Sequence, residues 1–210
     1  MSEQVVVSPR VLGRTGVPVP FQWRMISPGI YGQGDWCVLE TTPDALARRG
    51  DPVVVNHLAA AGRGACDLLL VRGLLSNDLK VGWPMHRLQQ MRDRGLCRYF
   101  AVEAENALEA EWIAANAPVH AVVIAFDPTD MSARYRAFAA AENSGVALIA
   151  RAPDAQTLAF HAATPEITAS ISDAVFDAAA TDVEAAWQRY AAEKAEPAKL
   201  RSGHPPDHGV

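Results

Sequence analysis

The sequence predicts an α/β fold built on parallel strands. Five short apolar runs, each long enough for a buried strand, alternate with segments of helical periodicity between residues 53 and 194. The segments between the runs are long enough for the crossover that connects two parallel strands. In addition, each run is closed by a charged residue, and ligands bind at the carboxyl ends of strands in such folds.

The elements follow one another with clear start and stop residues. Asp51-Pro52 suits the start of a helix, Gly62 and Gly95 suit helix ends, and Pro118 stops the helix before it. The predicted helices are 53–62, 84–94, 106–117, 132–143, 154–163 and 181–194. The predicted strands are 67–72, 97–102, 119–126, 146–150 and 167–171.

The two ends of the chain differ from this alternating region. The first fifty residues are rich in Gly and Pro, and their short apolar runs at 5–7, 17–19 and 21–26 predict a hairpin and one more strand. Residues 196–210 are rich in Pro, Gly and charge, which predicts a disordered tail. We therefore expect a single domain over residues 1–195.

Composition excludes several classes of partner. The net charge of -5 and the pI near 5.7 favour neither nucleic acid nor an acidic membrane. No apolar run has the length of a membrane helix and no leader pattern begins the chain, so we expect a cytoplasmic protein. The three widely spaced cysteines, Cys37, Cys66 and Cys97, predict buried free thiols rather than disulfides or a zinc ribbon.

The charged residues at the strand ends are the candidate site. They are Arg72, Glu103, Asp127, Arg151 and Asp173. One interpretation is an ion network that fills the mouth of the fold, because buried charges persist only when they are paired. The other is a polar ligand site in which Arg72 and Arg151 hold an anionic group.

Five segments, taken in order, resemble the aldo/keto reductase superfamily. Arg10–Val19 is similar to the opening hairpin of that family, and Cys66–Val71 to its fourth barrel strand. Arg94–Val102 resembles the entry to strand five, Gly145–Pro153 the end of strand seven, and Ala163–Ile171 strand eight. The resemblance implies a TIM-type (β/α) barrel that binds NADPH without a Rossmann domain.

The length of the chain does not fit a complete barrel of that family. Members run to roughly 300 residues, and the shortfall lies between Tyr31 and Val53, where the family has its second and third strands. We therefore expect an incomplete or remodelled barrel of about six parallel strands with an N-terminal hairpin. The aromatic residues near the gap are candidates for covering it or for anchoring a partner: Phe21, Trp23, Tyr31, Trp36 and Trp83.

The catalytic residues that the resemblance implies are missing. The family uses a tyrosine acid tuned by a lysine and an aspartate, with a histidine that orients the carbonyl. The histidine should end strand four, and Arg72 stands at that position. The lysine should end strand three, which this chain is expected to lack, and no lysine of this chain ends a predicted strand. Tyr31, Glu103 and Asp127 remain as catalytic candidates.

The cofactor site is also altered. Arg151 replaces the aromatic residue that stacks on nicotinamide, and Asp173 and Asp177 stand where the family offers a basic side chain to the adenosine phosphate. Carboxylates repel a phosphate, so we expect no cofactor, and NADPH only if it is bound in a different manner. We expect no metal site, because His204 and His208 lie in the proline-rich tail.

Two functions follow from these observations. The first is an aldo/keto reductase-like protein that has lost carbonyl reduction and acts as an accessory, regulatory or structural subunit, as a homo-oligomer or with another subunit. The second is an enzyme, either an NAD(P)-dependent oxidoreductase or another small-molecule enzyme, that uses a remodelled charged site at the strand ends. The second requires an open pocket of a few hundred Å³ there.

Overall fold

The chain forms a closed barrel of eight strands with helices on its outer side. The computed structural model describes residues 8–48, 51–127, 132–175 and 188. In chain order, the barrel strands are β3 (Gln22–Ser27), β4 (Ile30–Gln33), β5 (Trp36–Thr41), β6 (Cys66–Arg72), β7 (Cys97–Glu103), β8 (Ala121–Ile124), β9 (Ala147–Arg151) and β10 (Ile167–Ile171). A separate hairpin of β1 (Arg10–Val11) and β2 (Pro18–Val19) precedes them.

The predicted TIM-type barrel and N-terminal hairpin are therefore confirmed, but the strand count of about six is wrong. The barrel is remodelled rather than incomplete: it closes through parallel pairing of β10 with β3, in which Ser170 is opposite Gln22. Seven strands run in one direction, and β4 pairs antiparallel with both of its neighbours. The two strands thought to be missing are β4 and β5.

Tight turns explain how a short chain completes eight strands. Gly29, between β3 and β4, has a φ of +76°, and Gly34, between β4 and β5, has a φ of +61°. Glycine adopts such values without steric cost, so each reversal needs only a few residues. Two hairpins thus replace two helical crossovers.

The helices agree with the predicted ones within a few residues. They are α1 (Pro43–Arg48), α2 (Asp51–Ala60), α3 (Ser76–Val81), α4 (Trp83–Asp93), α5 (Ala107–Asn116), α6 (Ser132–Ser144) and α7 (Ala155–Ala163). The short helices α1 and α3 were not predicted. The predicted run at 5–7 and tail at 196–210 lie outside the described residues, as does the helix at 181–194 apart from Gln188, which is helical. No helix of the described segments has the length and apolar character needed to span a membrane.

Alternation along the strands creates two apolar layers. One lies inside the barrel and includes Trp23, Trp36, Leu68, Leu70 and Ile149. The other lies between the strands and the helices. Because successive side chains of a strand point to opposite faces, the strands from β4 to β10 each contribute to both layers.

The N-terminal hairpin closes the bottom of the barrel. Leu12 and Val19 are fully buried and belong to the inner layer. The guanidinium of Arg10 donates to the backbone oxygens of Ala162, at 2.6 Å, and Thr164, at 2.7 Å. With the bottom filled, the opposite end of the barrel is where a site can form.

Candidate functional site

Four charged side chains point into the barrel at the carboxyl ends of its strands. Leu68 and Leu70 face the interior, so Arg72, two residues further along β6, faces it as well. The same alternation directs Glu40 of β5, Glu103 of β7 and Arg151 of β9 inward. These four residues are called the mouth network below.

Arg151 is the centre of the mouth network. Its Nε donates to Glu103 Oε1 at 3.0 Å, and its terminal nitrogen donates to Glu103 Oε2 at 2.8 Å. The same terminal nitrogen donates to Glu40 Oε2 at 2.5 Å. Burial alone would lower the pKa of Arg151, but the hydrogen bonds and charges of Glu103 and Glu40 outweigh it and raise that pKa. Arg151 is therefore held as a permanent cation between two carboxylates.

Arg72 joins the network more loosely. Its nitrogens lie 3.7 Å from Glu40 Oε1 and 3.8 Å from Glu103 Oε2, which is too far for hydrogen bonds. Its side chain is 61% exposed, whereas those of Glu40 and Glu103 are 16% and 18% exposed. Two cations and two anions make the network electrically neutral.

A pocket of about 430 Å³ lies beside the mouth network. Its walls come from the ends of β6, β7, β8 and β9, and they combine the strand-end charges with small and apolar groups. The lining residues are Arg72, Gly73, Glu103, Ala104, Glu105, Ile124, Ala125, Phe126, Asp127 and Arg151. Network and pocket are thus neighbours, and the two interpretations of the strand-end charges describe adjacent parts of one surface.

The predicted site residues do not all lie in that pocket. Arg72, Glu103, Asp127 and Arg151 line it. Asp173 instead accepts a hydrogen bond from the backbone N–H of Met25 at 2.7 Å, where the last barrel strand meets the first. In the described part of the chain, no group of three or more His, Cys, Asp or Glu side chains could hold a metal ion. His204 and His208 lie outside the described residues.

Glu40 is the site residue that the sequence analysis missed. The third barrel strand was thought to be absent, but β5 occupies its place and ends in Glu40 and Thr41. The pattern was present in the sequence, because Glu40 closes the apolar run Trp36–Leu39 as the other charges close theirs. Glu40 therefore lies at the end of the third barrel strand.

Of the catalytic candidates, Tyr31 lies beside the mouth network, and the lysine of the described residues lies elsewhere. Tyr31 lies on β4 with its ring 5.9 Å from the guanidinium carbon of Arg151. The nitrogen of Lys80 lies 5.0 Å from the ring of Trp112, on the outer helices. Lys194 and Lys199 are outside the described residues.

A buried histidine supports the floor of the pocket. His161 is fully buried, with Nε2 2.5 Å from the backbone oxygen of Phe126 and Nδ1 2.9 Å from Ser170 Oγ. Burial lowers the pKa of His161 to about 4, so the ring is neutral near pH 7. Nε2 then carries the proton that is donated to Phe126, and Nδ1 accepts from Ser170. This histidine links α7 and β10 to the segment that carries Asp127.

The solved structures that this chain resembles are aldo-keto reductases. A thermostable aldo-keto reductase, solved with the inhibitor epalrestat, matches with a TM-score of 0.51 over 75% of this chain and 65% of its own, at 19% identity. An aldo-keto reductase from Bacillus halodurans matches with a TM-score of 0.53 over 81% of this chain and 74% of its own, at 13% identity. The chain has the fold of the aldo/keto reductases.

A shorter relative covers more of the chain. A candidate aldo-keto reductase from Pseudomonas aeruginosa matches with a TM-score of 0.56 over 89% of this chain and 96% of its own, at 10% identity. No protein-family model and no curated protein sequence matches this chain. The structure thus establishes the aldo/keto reductase fold. The charged residues at the mouth of the barrel differ from those that the resemblance implies.

Proposed function

We propose that this chain is an aldo/keto reductase-fold protein that does not reduce carbonyls by the chemistry of that family and acts by binding, as an accessory or regulatory subunit. The observation that carries the proposal is the mouth network. At the strand ends where the resemblance implies a lysine and a histidine, the chain has Glu40 and Arg72.

The exchange at the lysine position reverses a charge that the family's chemistry depends on. A cation beside a tyrosine favours its anion, and a carboxylate in the same place disfavours it. In addition, Arg151 already holds the carboxylate of Glu40 in a hydrogen bond, so that carboxylate is directed at an arginine rather than at a reacting group. The neutral network supports a binding role more than proton transfer.

The residues near the expected cofactor also support this proposal. Arg151 is engaged by Glu103 and Glu40 instead of offering a flat ring to nicotinamide. Asp173 holds the backbone of Met25, and its negative charge disfavours a nearby phosphate. Asp177 lies outside the described residues. We therefore expect no NADPH binding in the manner of the family.

Exposed apolar side chains next to the mouth support a protein partner. Met25 and Ile26, adjacent residues of β3, are 49% and 53% exposed. Trp23 and Trp36, considered above as anchors for a partner, are buried inside the barrel and have no such role. Trp83 on α4 is partly exposed and remains a candidate anchor for a partner.

The second candidate is an enzyme with altered chemistry at the same mouth, either an oxidoreductase or another small-molecule enzyme. It is favoured by one observation: the pocket of about 430 Å³ at the strand ends is of the size that small-molecule sites have. Glu103 and Asp127, which line it, are the acid–base candidates.

Titration with NADPH separates the two candidates. Trp23 and Trp36 lie within the barrel, so tryptophan fluorescence reports a ligand that enters the mouth. We expect no saturable change at micromolar NADPH and no NADPH oxidation with a panel of aldehydes and ketones, with N-acetyltryptophanamide as the control for absorption by NADPH. Saturable quenching together with turnover of any carbonyl would overturn the proposal. In a separate measurement, light scattering after size-exclusion chromatography determines the oligomeric state.

A further inference from the structure

The amino end of the barrel, opposite the mouth, has its own group of basic side chains. Arg92 lies in the last turn of α4, before β7, and His120 directly precedes β8. Arg14 belongs to the short 3₁₀ turn of the N-terminal hairpin, and its backbone N–H donates to the oxygen of Gly145, before β9, at 2.7 Å. Three elements therefore bring these side chains to the amino ends of three neighbouring strands. Arg14, Arg92 and His120 are called the basal cluster below.

Packing holds both arginines beside His120. The ring centre of Phe100 lies 5.7 Å from the guanidinium carbon of Arg92 and 4.7 Å from the imidazole centre of His120. Arg14 lies against Gly145, where an added Cβ would be 3.0 Å from the Cβ of Arg14. Two residues after that glycine, the backbone N–H of β9 donates to the oxygen of His120 at 3.0 Å. The hairpin and α4 are thus tied to the same short segment before β8.

The basal cluster has hydrogen-bond donors to offer. Nδ1 of His120 accepts from the backbone N–H of Phe100 at 3.3 Å, so the neutral imidazole carries its proton on Nε2. Within the described segments, Nε2 makes no hydrogen bond. Arg92 uses one terminal nitrogen for Gln89, at 2.8 Å, and the exposed guanidinium of Arg14 makes no hydrogen bond to a described residue. A ligand can therefore be met by donors from three side chains.

No carboxylate of the described residues neutralises the basal cluster. Neither Arg14 nor Arg92 forms an ion pair with any of them. Burial lowers the pKa of His120, and the charges of Arg92 and Arg14 lower it further. Tyr99 packs against the imidazole at 5.2 Å, and Glu142, exposed at the end of α6, is not among the groups that act on that pKa. The local potential is thus positive, although the whole chain has a net charge of -5.

We propose that the basal cluster binds a phosphate group, either the free ion or a small phosphate monoester, with Arg14 and Arg92 on its oxygens and Nε2 of His120 as a third donor. A guanidinium fork matches phosphate oxygens in charge and geometry. Phosphate has enough acceptor oxygens for all three side chains, whereas a carboxylate has two. Because the basal cluster lies at the opposite end of the barrel from the mouth network, this site is independent of the proposed function.

The titration of His120 in the full chain is the direct readout. NMR of the imidazole protons is recorded against pH in chloride buffer, and again with inorganic phosphate or glycerol 3-phosphate at the same ionic strength. We expect phosphate to raise the pKa of His120 saturably, because a bound anion offsets the two arginines and favours the protonated ring. The resonances of His57, which is exposed on α2, should not respond to phosphate. An unchanged titration of His120 with both probes would refute the proposal.

Variants test the two arginines by calorimetry at low ionic strength. Arg14→Gln and Arg92→Gln should each weaken phosphate binding by roughly tenfold, the loss of about one charge-assisted hydrogen bond. Arg24→Gln is the matched control, because Arg24 is also exposed, lies on β3 and contributes the same charge. It should leave phosphate binding almost unchanged. Equal weakening by all three variants would show that phosphate responds to net charge alone and would overturn the proposal.

The two probes also distinguish the source of the phosphate group. Tighter binding of glycerol 3-phosphate supports the site and assigns it to a phosphate monoester, and tighter binding of inorganic phosphate supports it and assigns it to the free ion. Thermal melting checks that each variant is folded. If a variant is destabilised, the titration of His120 in the unaltered chain still decides the proposal.

Discussion

Replacing Arg151 tests whether the mouth network stabilises the barrel. Arg151→Gln removes the three hydrogen bonds to Glu103 and Glu40 and leaves these two carboxylates with Arg72, at 3.7 Å or more, as their remaining cation in the network. Breaking a fully buried pair costs about 3–5 kcal/mol, and an exposed pair contributes at most about 1 kcal/mol. The Arg151 side chain is 29% exposed, so the expected loss lies between these limits, at about 2 kcal/mol.

That loss is measurable by calorimetry or thermal melting. For a chain of this size, about 2 kcal/mol corresponds to a fall in Tm of roughly 4–8 °C. Arg72→Gln is the matched control within the same network. Its ion pairs are long and its side chain is 61% exposed, so it should cost about 0.5 kcal/mol or less.

A double-mutant cycle then isolates the pair. Arg151→Gln and Glu103→Gln, singly and together, should give a coupling energy of about 1–2 kcal/mol, since the two side chains share two hydrogen bonds. Equal falls in Tm for Arg151→Gln and Arg72→Gln, or a coupling energy below about 0.3 kcal/mol, would refute a stabilising role of the network. In either case the strand-end charges would be individually hydrated rather than joined.

Three further predictions concern the barrel around the site. Burial lowers the pKa of His161 to about 4 in the folded chain, so as the pH falls the imidazole binds its proton first in the unfolded chain. The free energy of unfolding should therefore decrease as the pH drops from about 6.5 towards 4, by up to about 1.4 kcal/mol per pH unit. Urea unfolding at pH 7 and pH 5 measures this slope, and an unchanged slope in His161→Asn would contradict it. Gly32→Ala should lower the free energy of unfolding by about 2–3 kcal/mol, because a Cβ there would lie 2.1 Å from the backbone oxygen of Trp36. Gly34→Ala places its Cβ in open space and should lower it by about 1 kcal/mol, because its φ is +61°. Equal unfolding free energies for the two alanine variants would argue against that packing. Cys37, Cys66 and Cys97 are buried free thiols, and burial raises the pKa of Cys97 to about 11, so Ellman's reagent at pH 7 should label them only after guanidinium unfolding. Rapid labelling of the native chain would contradict this.

Much of the barrel could be predicted because strand and helix periodicity is local. The strands β6, β7, β9 and β10 lie within two residues of their predicted bounds, and the charges of Arg72, Glu103 and Arg151 were recognised at their ends. Local patterns also predicted the buried thiols, which are confirmed.

The closure of the barrel could not be predicted in the same way. β4 has four residues with a glycine near its centre, so its alternation is weak, and its antiparallel direction depends on pairing rather than on local preference. The length of the resembled family then suggested missing strands, although Trp36–Leu39 has the pattern of a buried strand. The contact between Arg151 and Glu40, which are 111 residues apart in sequence, depends on that closure and was missed with it.

The antiparallel strand also has a consequence for how the chain folds. Pairings among β3, β4 and β5 join residues close in sequence, such as Ser27 with Ile30, so the entropy lost in closing these loops is small. The pairing of Ser170 with Gln22 joins residues far apart in sequence, so the entropy lost in closing that loop is larger. We therefore expect the three-stranded meander to form early as a local unit and the seam between β10 and β3 to form later.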